Sequence, residues 1–170
     1  RAPSNLRQSL ADSSFTAWTK FYQQDENAIN SVVSYYGKGS LVALCLDAQL
    51  RSIGLSLDGL MQQCWQQFGV SGAGSDEEGF FLQLLSYCNS PDLVQSCRAW
   101  VWTTEPLPLA ASLAILGVTL QWRAAESNKD LSGPAQALQA VRDFGALYQA
   151  NNEGLQINAV PIGSAAYQVG

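Results

Sequence analysis

The sequence predicts a mainly α protein, a helical bundle followed by a small, incomplete β-rich segment. Three observations carry that reading. As far as Gly117, apolar residues recur at helical spacing behind serine caps. Directly after Gly117 the period changes to alternation. Near the end, two short apolar runs are joined by Asn151-Asn152-Glu153-Gly154, the composition of a hairpin turn. Hydrophobic residues make up 47% of the 170, enough for a packed core and too many for intrinsic disorder.

The elements follow in order. Ser13 or Ser14 can cap a first helix, on which Phe15, Trp18 and Tyr22 recur at i, i+3 and i+7 along one face. The polar run from Gln23 to Asn27 ends it, and a loop through Ala28, Ile29 and Asn30 leads to Tyr35 and Tyr36. From Lys38 to about Ile53 the pattern is helical again. Leu41, Leu44, Cys45 and Ala48 form a stripe that Val42, Leu46 and Ile53 widen, so this helix is expected to be buried on several sides. Asp47 and Arg51 are spaced to pair on the remaining polar face. Ser56 opens the clearest helix, with Leu57, Leu60, Met61, Cys64 and Phe68 on one face and Gly69 at its end. Gly69 to Gly74 reads as a loop.

Ser75 and Glu78 match a capping box ahead of Phe81, Leu84, Leu85 and Cys88. Ser90-Pro91 is a cap followed by a proline at the first helical position, and that helix should run to about Trp102. Pro108 opens a short helix through Leu109, Leu113 and Leu116, closed by Gly117. Val118, Leu120 and Trp122 then alternate with polar neighbours, as a strand does. Asn128 to Pro134 reads as a polar connection and Ala135 to about Arg142 as a helical turn or two. Gly145 to Ala150 and Leu155 to Val160 read as strands. Gly163 to Ala166 reads as a helix start, inside which the chain is expected to stop.

Composition excludes several functions. Charged residues are 14%, against roughly 25% in a typical soluble domain, so part of the surface is suited to being covered. The net charge is −5 and no run of Lys or Arg exists, so no nucleic-acid partner is expected. No uninterrupted apolar stretch reaches about 18 residues, so no membrane span is expected. No signal peptide is visible ahead of the start at Arg1, and the sequence fits a cytoplasmic or a periplasmic compartment equally. The absence of histidine removes a Ser-His-Asp triad, a Cys-His pair and an H-E-x-x-H zinc helix from this chain. Its cysteines, at 45, 64, 88 and 97, form no C-x-x-C motif and are expected to be buried free thiols.

The sharpest local feature is Ser34-Tyr35-Tyr36-Gly37-Lys38-Gly39, where two glycines flank a lysine as a loop becomes a helix. A tyrosine hydroxyl there can donate a hydrogen bond to a developing oxyanion. The plainer reading is that both tyrosines pack their rings and keep their hydroxyls wet. Other candidates are weaker. Asp76-Glu77-Glu78 sits in a predicted first helical turn, where the helix dipole favours negative charge. Asp25-Glu26 is too small a set for a hard-cation cage. Gly69 to Gly74 lacks the Lys-Ser/Thr of a phosphate loop. Phe80/Phe81 and Trp100/Trp102 suit core or interface packing.

Several segments together resemble the glycyl aminopeptidase family of zinc metallopeptidases, thermolysin-like enzymes that carry a PDZ domain. They are Phe15 to Tyr22, Asp25 to Asn27, Ser34 to Leu44, Ser56-Leu57-Asp58 with Met61 and Trp65, Glu105 to Leu109, and Leu116-Gly117-Val118. The resemblance implies that residues 1–123 are the helical C-terminal half of a peptidase catalytic domain, 124–134 a linker, and 135–170 a truncated PDZ-like segment. It implies a fragment of a zinc-dependent aminopeptidase that hydrolyses N-terminal residues of peptide substrates. The zinc ligands belong upstream, so this chain alone should hold no zinc and be inactive. The family's Tyr-x-Lys-Gly pattern falls on Tyr36, Lys38 and Gly39 and implies oxyanion stabilisation by Tyr36, with Tyr35 as runner-up. The rival expectation is a non-enzymatic helical module that binds peptides or a partner protein. A homodimer through unpaired strand edges is a further expectation.

Overall fold

A computed structural model describes residues 3–123, 133 and 144–170. After a 3-10 turn, Pro3–Leu6, helix α1 spans Leu10–Phe15 and a π-helical turn, Ala17–Phe21, follows. Helices α2 (Ala28–Ser31), α3 (Tyr35–Ser52) and α4 (Leu57–Cys64) come next, α4 continuing into a second π-helical turn, Trp65–Gly69. Then come α5 (Glu77–Cys88), α6 (Pro91–Trp102) and α7 (Leu109–Ile115). Strands β1 (Leu147–Asn151) and β2 (Gly154–Ala159) form an antiparallel hairpin, and α8 is Ala165–Val169. The protein is mainly α, with one two-stranded sheet among the described residues, as the sequence predicts. No single helix among the described residues is long and apolar enough to cross a membrane.

The central helix α3 organises the bundle. Leu46 and Leu50 on α3 meet Leu60 of α4, Phe81 and Leu84 of α5, and Cys97 of α6 in one buried cluster. Val42, Cys45 and Ala48 are buried as well, so α3 is covered on several sides, as its wide apolar stripe requires. Its polar remainder carries the Arg51–Asp47 pair at 2.6 Å, and the second Asp47 oxygen accepts from the Leu57 amide at 2.9 Å. The cysteines are free. Cys45 and Cys97 are buried, and Cys64 and Cys88 half-buried.

Caps set most helix starts. The side chains of Ser34, Ser56 and Ser90 each accept from a backbone amide three residues on. Two expected caps are displaced. Ser9, not Ser13 or Ser14, caps α1, accepting from the Asp12 amide at 3.0 Å while its own hydroxyl donates to the Asp12 carboxylate. Ser13 instead turns inward and donates to the Val33 carbonyl. Asp76, not Ser75, caps α5, because a carboxylate is the stronger acceptor at a helix N-terminus. Its neighbours Glu77 and Glu78 reach across to α6, Glu77 accepting from Trp102 Nε1 and both Glu78 oxygens accepting from Arg98 Nη2.

The alternating run Val118 to Trp122 is not a strand. Helix α7 ends at Gly117 (φ +76°), whose amide donates to Ala114 at 3.0 Å while the Val118 amide donates to Leu113 at 2.9 Å. That pair of bonds is a Schellman cap. It uses the first amide of the alternating run, and no second strand lies beside the run among the described residues. The expected loop at Ala28 to Asn30 is the short helix α2. The expected face of Phe15, Trp18 and Tyr22 lies in solvent, with Phe15 90% exposed. The readings for Asn128 to Pro134 and Ala135 to Arg142 fall outside the described residues, Gly133 excepted.

The hairpin is held to the bundle through α2. Asn30 is buried, its Nδ2 donating to the Val160 carbonyl at 3.0 Å and its Oδ1 accepting from the Ile162 amide at 2.7 Å. One side-chain amide thus pairs with the backbone after β2 as a strand edge would.

Candidate functional site at the start of α3

Ser34 stops the extended chain and caps α3, so Tyr35 and Tyr36 occupy its first turn. Their rings lie 4.2 Å apart between centroids. Tyr22, at the end of the π-helical turn Ala17–Phe21, brings a third hydroxyl to them. The Tyr22 oxygen lies 2.8 Å from that of Tyr35 and 3.2 Å from that of Tyr36. Phe21 stands edge-on to Tyr35 at 5.2 Å and to Tyr36 at 6.1 Å. Tyr36 is 63% exposed, whereas Tyr35 is half-buried.

The backbone beneath the phenols is pinned. Gln8 Oε1 accepts from the Val33 amide at 2.9 Å, and Ser13 donates to the carbonyl of the same residue. Lys38 is only 7% exposed, and its ammonium donates to the carbonyls of Gln8 (3.4 Å) and Thr103 (3.3 Å). Burial pushes its pKa below the usual lysine value. Lys38 therefore ties α3 to the chain before α1 and to the end of α6. Neither Gly37 nor Gly39 is sterically required. Both are helical, and an added Cβ would meet only Ser34 at 3.6 Å or Leu10 at 3.9 Å.

Two clefts flank this turn. Ser34, Gly37, Lys38 and Leu41 line one of about 820 Å³, with Pro106 and Trp122 opposite. Tyr35 and Gly39 line another of about 500 Å³, with Glu77 and Trp102 opposite. Tyr36 lines neither of these two.

The contacts among the hydroxyls bear on the acidity of Tyr35 and Tyr36 in opposite directions. The hydrogen bond from Tyr22, and secondarily the adjacent Tyr35 phenol, holds the Tyr36 pKa below the usual phenol value. The bond to Tyr22 raises that of Tyr35. A phenolate at Tyr36 is stabilised by neighbouring donors, so the neutral Tyr36 hydroxyl is a stronger donor than an isolated phenol.

Residues 1–42 match the M61 glycyl aminopeptidase family. The chain is also similar to the crystal structure of an aminopeptidase N family protein from Idiomarina loihiensis. The TM-score is 0.83 and the identity 34%, over 99% of this chain and 29% of that one. The M61 glycyl aminopeptidase likeness in sequence thus lies in residues 1–42, and the likeness to the aminopeptidase N family structure extends over nearly the whole chain. It spans less than a third of the length of that relative. No curated protein matches it. The glycyl aminopeptidase-like stretch matched in sequence contains Tyr22, Tyr35, Tyr36, Lys38 and Gly39, so the whole hydroxyl cluster lies inside it.

Sequence reasoning left Tyr35 and Tyr36 on the loop ahead of a helix from Lys38, whereas the Ser34 cap starts α3 at Tyr35, and it missed Tyr22 as their partner. It had set Tyr22 on a helical face with Phe15 and Trp18. A local signal did exist, because Phe21-Tyr22 and Tyr35-Tyr36 are paired aromatics either side of one loop. The carboxylates at 76–78 are used in capping and in contacts to α6.

Proposed function

We propose that this chain is the tyrosine-bearing part of a zinc-dependent aminopeptidase that removes N-terminal residues from peptides, with Tyr36 as an oxyanion donor. The observation that carries the reading is the position of the Tyr36 hydroxyl. It is exposed, bonded to a second phenol, and set on a pinned helical turn inside the family-matched stretch. When a nucleophile adds to a peptide carbonyl, negative charge develops on its oxygen. A preorganised neutral donor lowers the energy of that state more than that of the substrate. The comparisons favour this reading over a non-enzymatic binding module. The hairpin and α8 would then begin a PDZ-like unit over 135–170, after a catalytic-domain part over 1–123.

This chain's residues do not fit a zinc site. It has no histidine, and among the described residues no three Cys, Asp or Glu side chains are arranged to hold a metal ion. In this proposal the metal is held by other parts of the longer protein, and nothing derived for Tyr36 depends on it. The 170-residue chain alone is expected to hydrolyse no peptide. In a longer protein containing these residues, Tyr36→Phe should lower kcat by about 10² to 10³ with little change in KM, as loss of one oxyanion donor does elsewhere. An unchanged kcat in Tyr36→Phe would remove Tyr36 from the chemistry, and a loss seen only in Tyr35→Phe would transfer the role to Tyr35.

A further inference from the structure

We propose that Tyr22 is a positioning residue for Tyr36, the middle member of a hydroxyl chain running Tyr35 to Tyr22 to Tyr36. Its use in catalysis rests on the oxyanion reading above; its geometry does not. Each phenol has one proton to give and can accept from others. The Tyr22 oxygen is within hydrogen-bond reach of both partners, at 2.8 and 3.2 Å, but can donate to only one. If it donated to Tyr35, Tyr36 would have to donate inward to Tyr22, and its proton would be lost to any substrate. If Tyr35 donates to Tyr22 and Tyr22 to Tyr36, every internal bond is made and the Tyr36 proton is left to point outward. Donors aligned head to tail also polarise one another, which strengthens the last one.

Tyr22 is built for that place. Its ring is held by Trp18 at 5.1 Å and edge-on by Phe21 at 5.3 Å, and Phe21 also touches the rings of Tyr35 and Tyr36. The hydroxyl is thus aimed by an element separate from α3. Of the charged groups on α3 and the elements packed against it, Asp12 is taken by Ser9 and Arg98 by Glu78. Glu77 lines the cleft beside Tyr35, and the Lys38 ammonium is turned to the carbonyls of Gln8 and Thr103. The groups bonded to the Tyr36 hydroxyl's partner are phenols alone. The directions of the acid shifts agree with this order, since Tyr36 gives up its proton more easily than usual and Tyr35 less.

Tyr22→Phe removes one oxygen and keeps the ring contacts, so it isolates the hydroxyl. The test is an alkaline titration of the 170-residue chain with ¹³C-labelled tyrosine, read by NMR at each Cζ and assigned by single substitutions. In the unaltered chain, Tyr36 should deprotonate at lower pH than a free phenol. Tyr22→Phe should move that transition back toward the ordinary phenol value, and Tyr35→Phe should move it the same way by less. An identical Tyr36 titration in the unaltered, Tyr22→Phe and Tyr35→Phe chains, with unchanged circular dichroism, would overturn the proposal. In the longer enzyme, Tyr22→Phe should lower kcat about tenfold at constant KM and move its alkaline limb upward, the scale of one lost hydrogen bond. Failure of the oxyanion reading shows separately, as an undiminished kcat in Tyr36→Phe, and leaves the titration to decide the hold of Tyr22 on Tyr36.

Discussion

Replacing Asn30 by alanine tests how the hairpin is held to the helices. Asn30 is buried, and its amide makes two bonds to the segment after β2, to Val160 O at 3.0 Å and from Ile162 N at 2.7 Å. Its Nδ2 also donates to Asn27 Oδ1 at 3.0 Å, which fixes the amide's orientation. A net hydrogen bond contributes about 1 kcal/mol, so the two cross-bonds hold about 2 kcal/mol. That is a factor of about 30 in the docking equilibrium. Alanine would also orphan a half-buried amide and carbonyl, which raises the cost further. The hairpin has little else to replace them, because most of its strand residues are exposed. Amide hydrogen exchange followed by NMR is the direct assay. In Asn30→Ala the Ile162 amide should exchange at least about 30-fold faster, while those of Leu50 and Leu84 in the bundle core keep their rates. Asn30→Asp keeps the acceptor for Ile162 and loses the donor for Val160, so its effect should be smaller at Ile162. Unchanged exchange at Ile162, or an equal rise at Ile162, Leu50 and Leu84, would refute the reasoning.

Leu84 is fully buried and clusters with Leu50, Leu60 and Phe81, so Leu84→Ala should cost about 2–5 kcal/mol in denaturant unfolding. A loss below about 1 kcal/mol would mean that the cluster is not the core. Burial pushes the Cys97 thiol up to about 11, so at pH 8 thiol reagents should modify half-buried Cys64 and Cys88 before Cys97. The sign of the linkage follows. A folded pKa above the ordinary 9.0 gives stability that is full below pH 9.0 and lost as pH rises to about 11. The denaturation midpoint should fall across that window, and Cys97→Ala should reduce the fall; an equal fall in both would contradict the assignment.

Local chemistry was legible where a single residue decides it. Ser56 and the Ser90-Pro91 pair sit where the helices begin, and Gly117 where α7 ends. The hairpin is centred on Asn152 and Glu153, with Asn151 Oδ1 accepting from the Glu153 amide at 3.0 Å. Reading failed where neighbours compete or where a partner comes from elsewhere in the chain. Ser9, Ser13 and Ser14 are equivalent as local acceptors, and only the Val33 carbonyl above α1 draws Ser13 inward. Val118 to Trp122 has the alternation of a strand, but alternation describes a face and does not supply a partner. Phe15, Trp18 and Tyr22 have the spacing of a buried stripe and lie outside. At the site, the Tyr35-Tyr36 doublet was visible, whereas the convergence of Tyr22 on it depends on the turn from 23 to 34.

The choice between a packing role and a chemical role for the tyrosines turns on rigidity. Tyr36 is exposed, and an exposed phenol on a mobile turn would spend its hydrogen-bonding capacity on water. The turn is instead held from several sides. Ser34 caps it, Gln8 and Ser13 take both backbone groups of Val33, and Asn30 is tied to the segment after β2. Lys38 is the costliest of these anchors. Burying an ammonium is unfavourable, and two carbonyls at 3.3 and 3.4 Å compensate only part of the cost. Packing alone would be served better by an apolar residue at 38. A charge-assisted bond to carbonyls on two other segments is directional in a way that an apolar contact is not. It fixes the rotation and height of the first turn of α3, and with them the place where the Tyr36 hydroxyl stands. Lys38 thus has the character of a support for chemistry, even though it sits on the far side of the turn from the hydroxyls it helps to place.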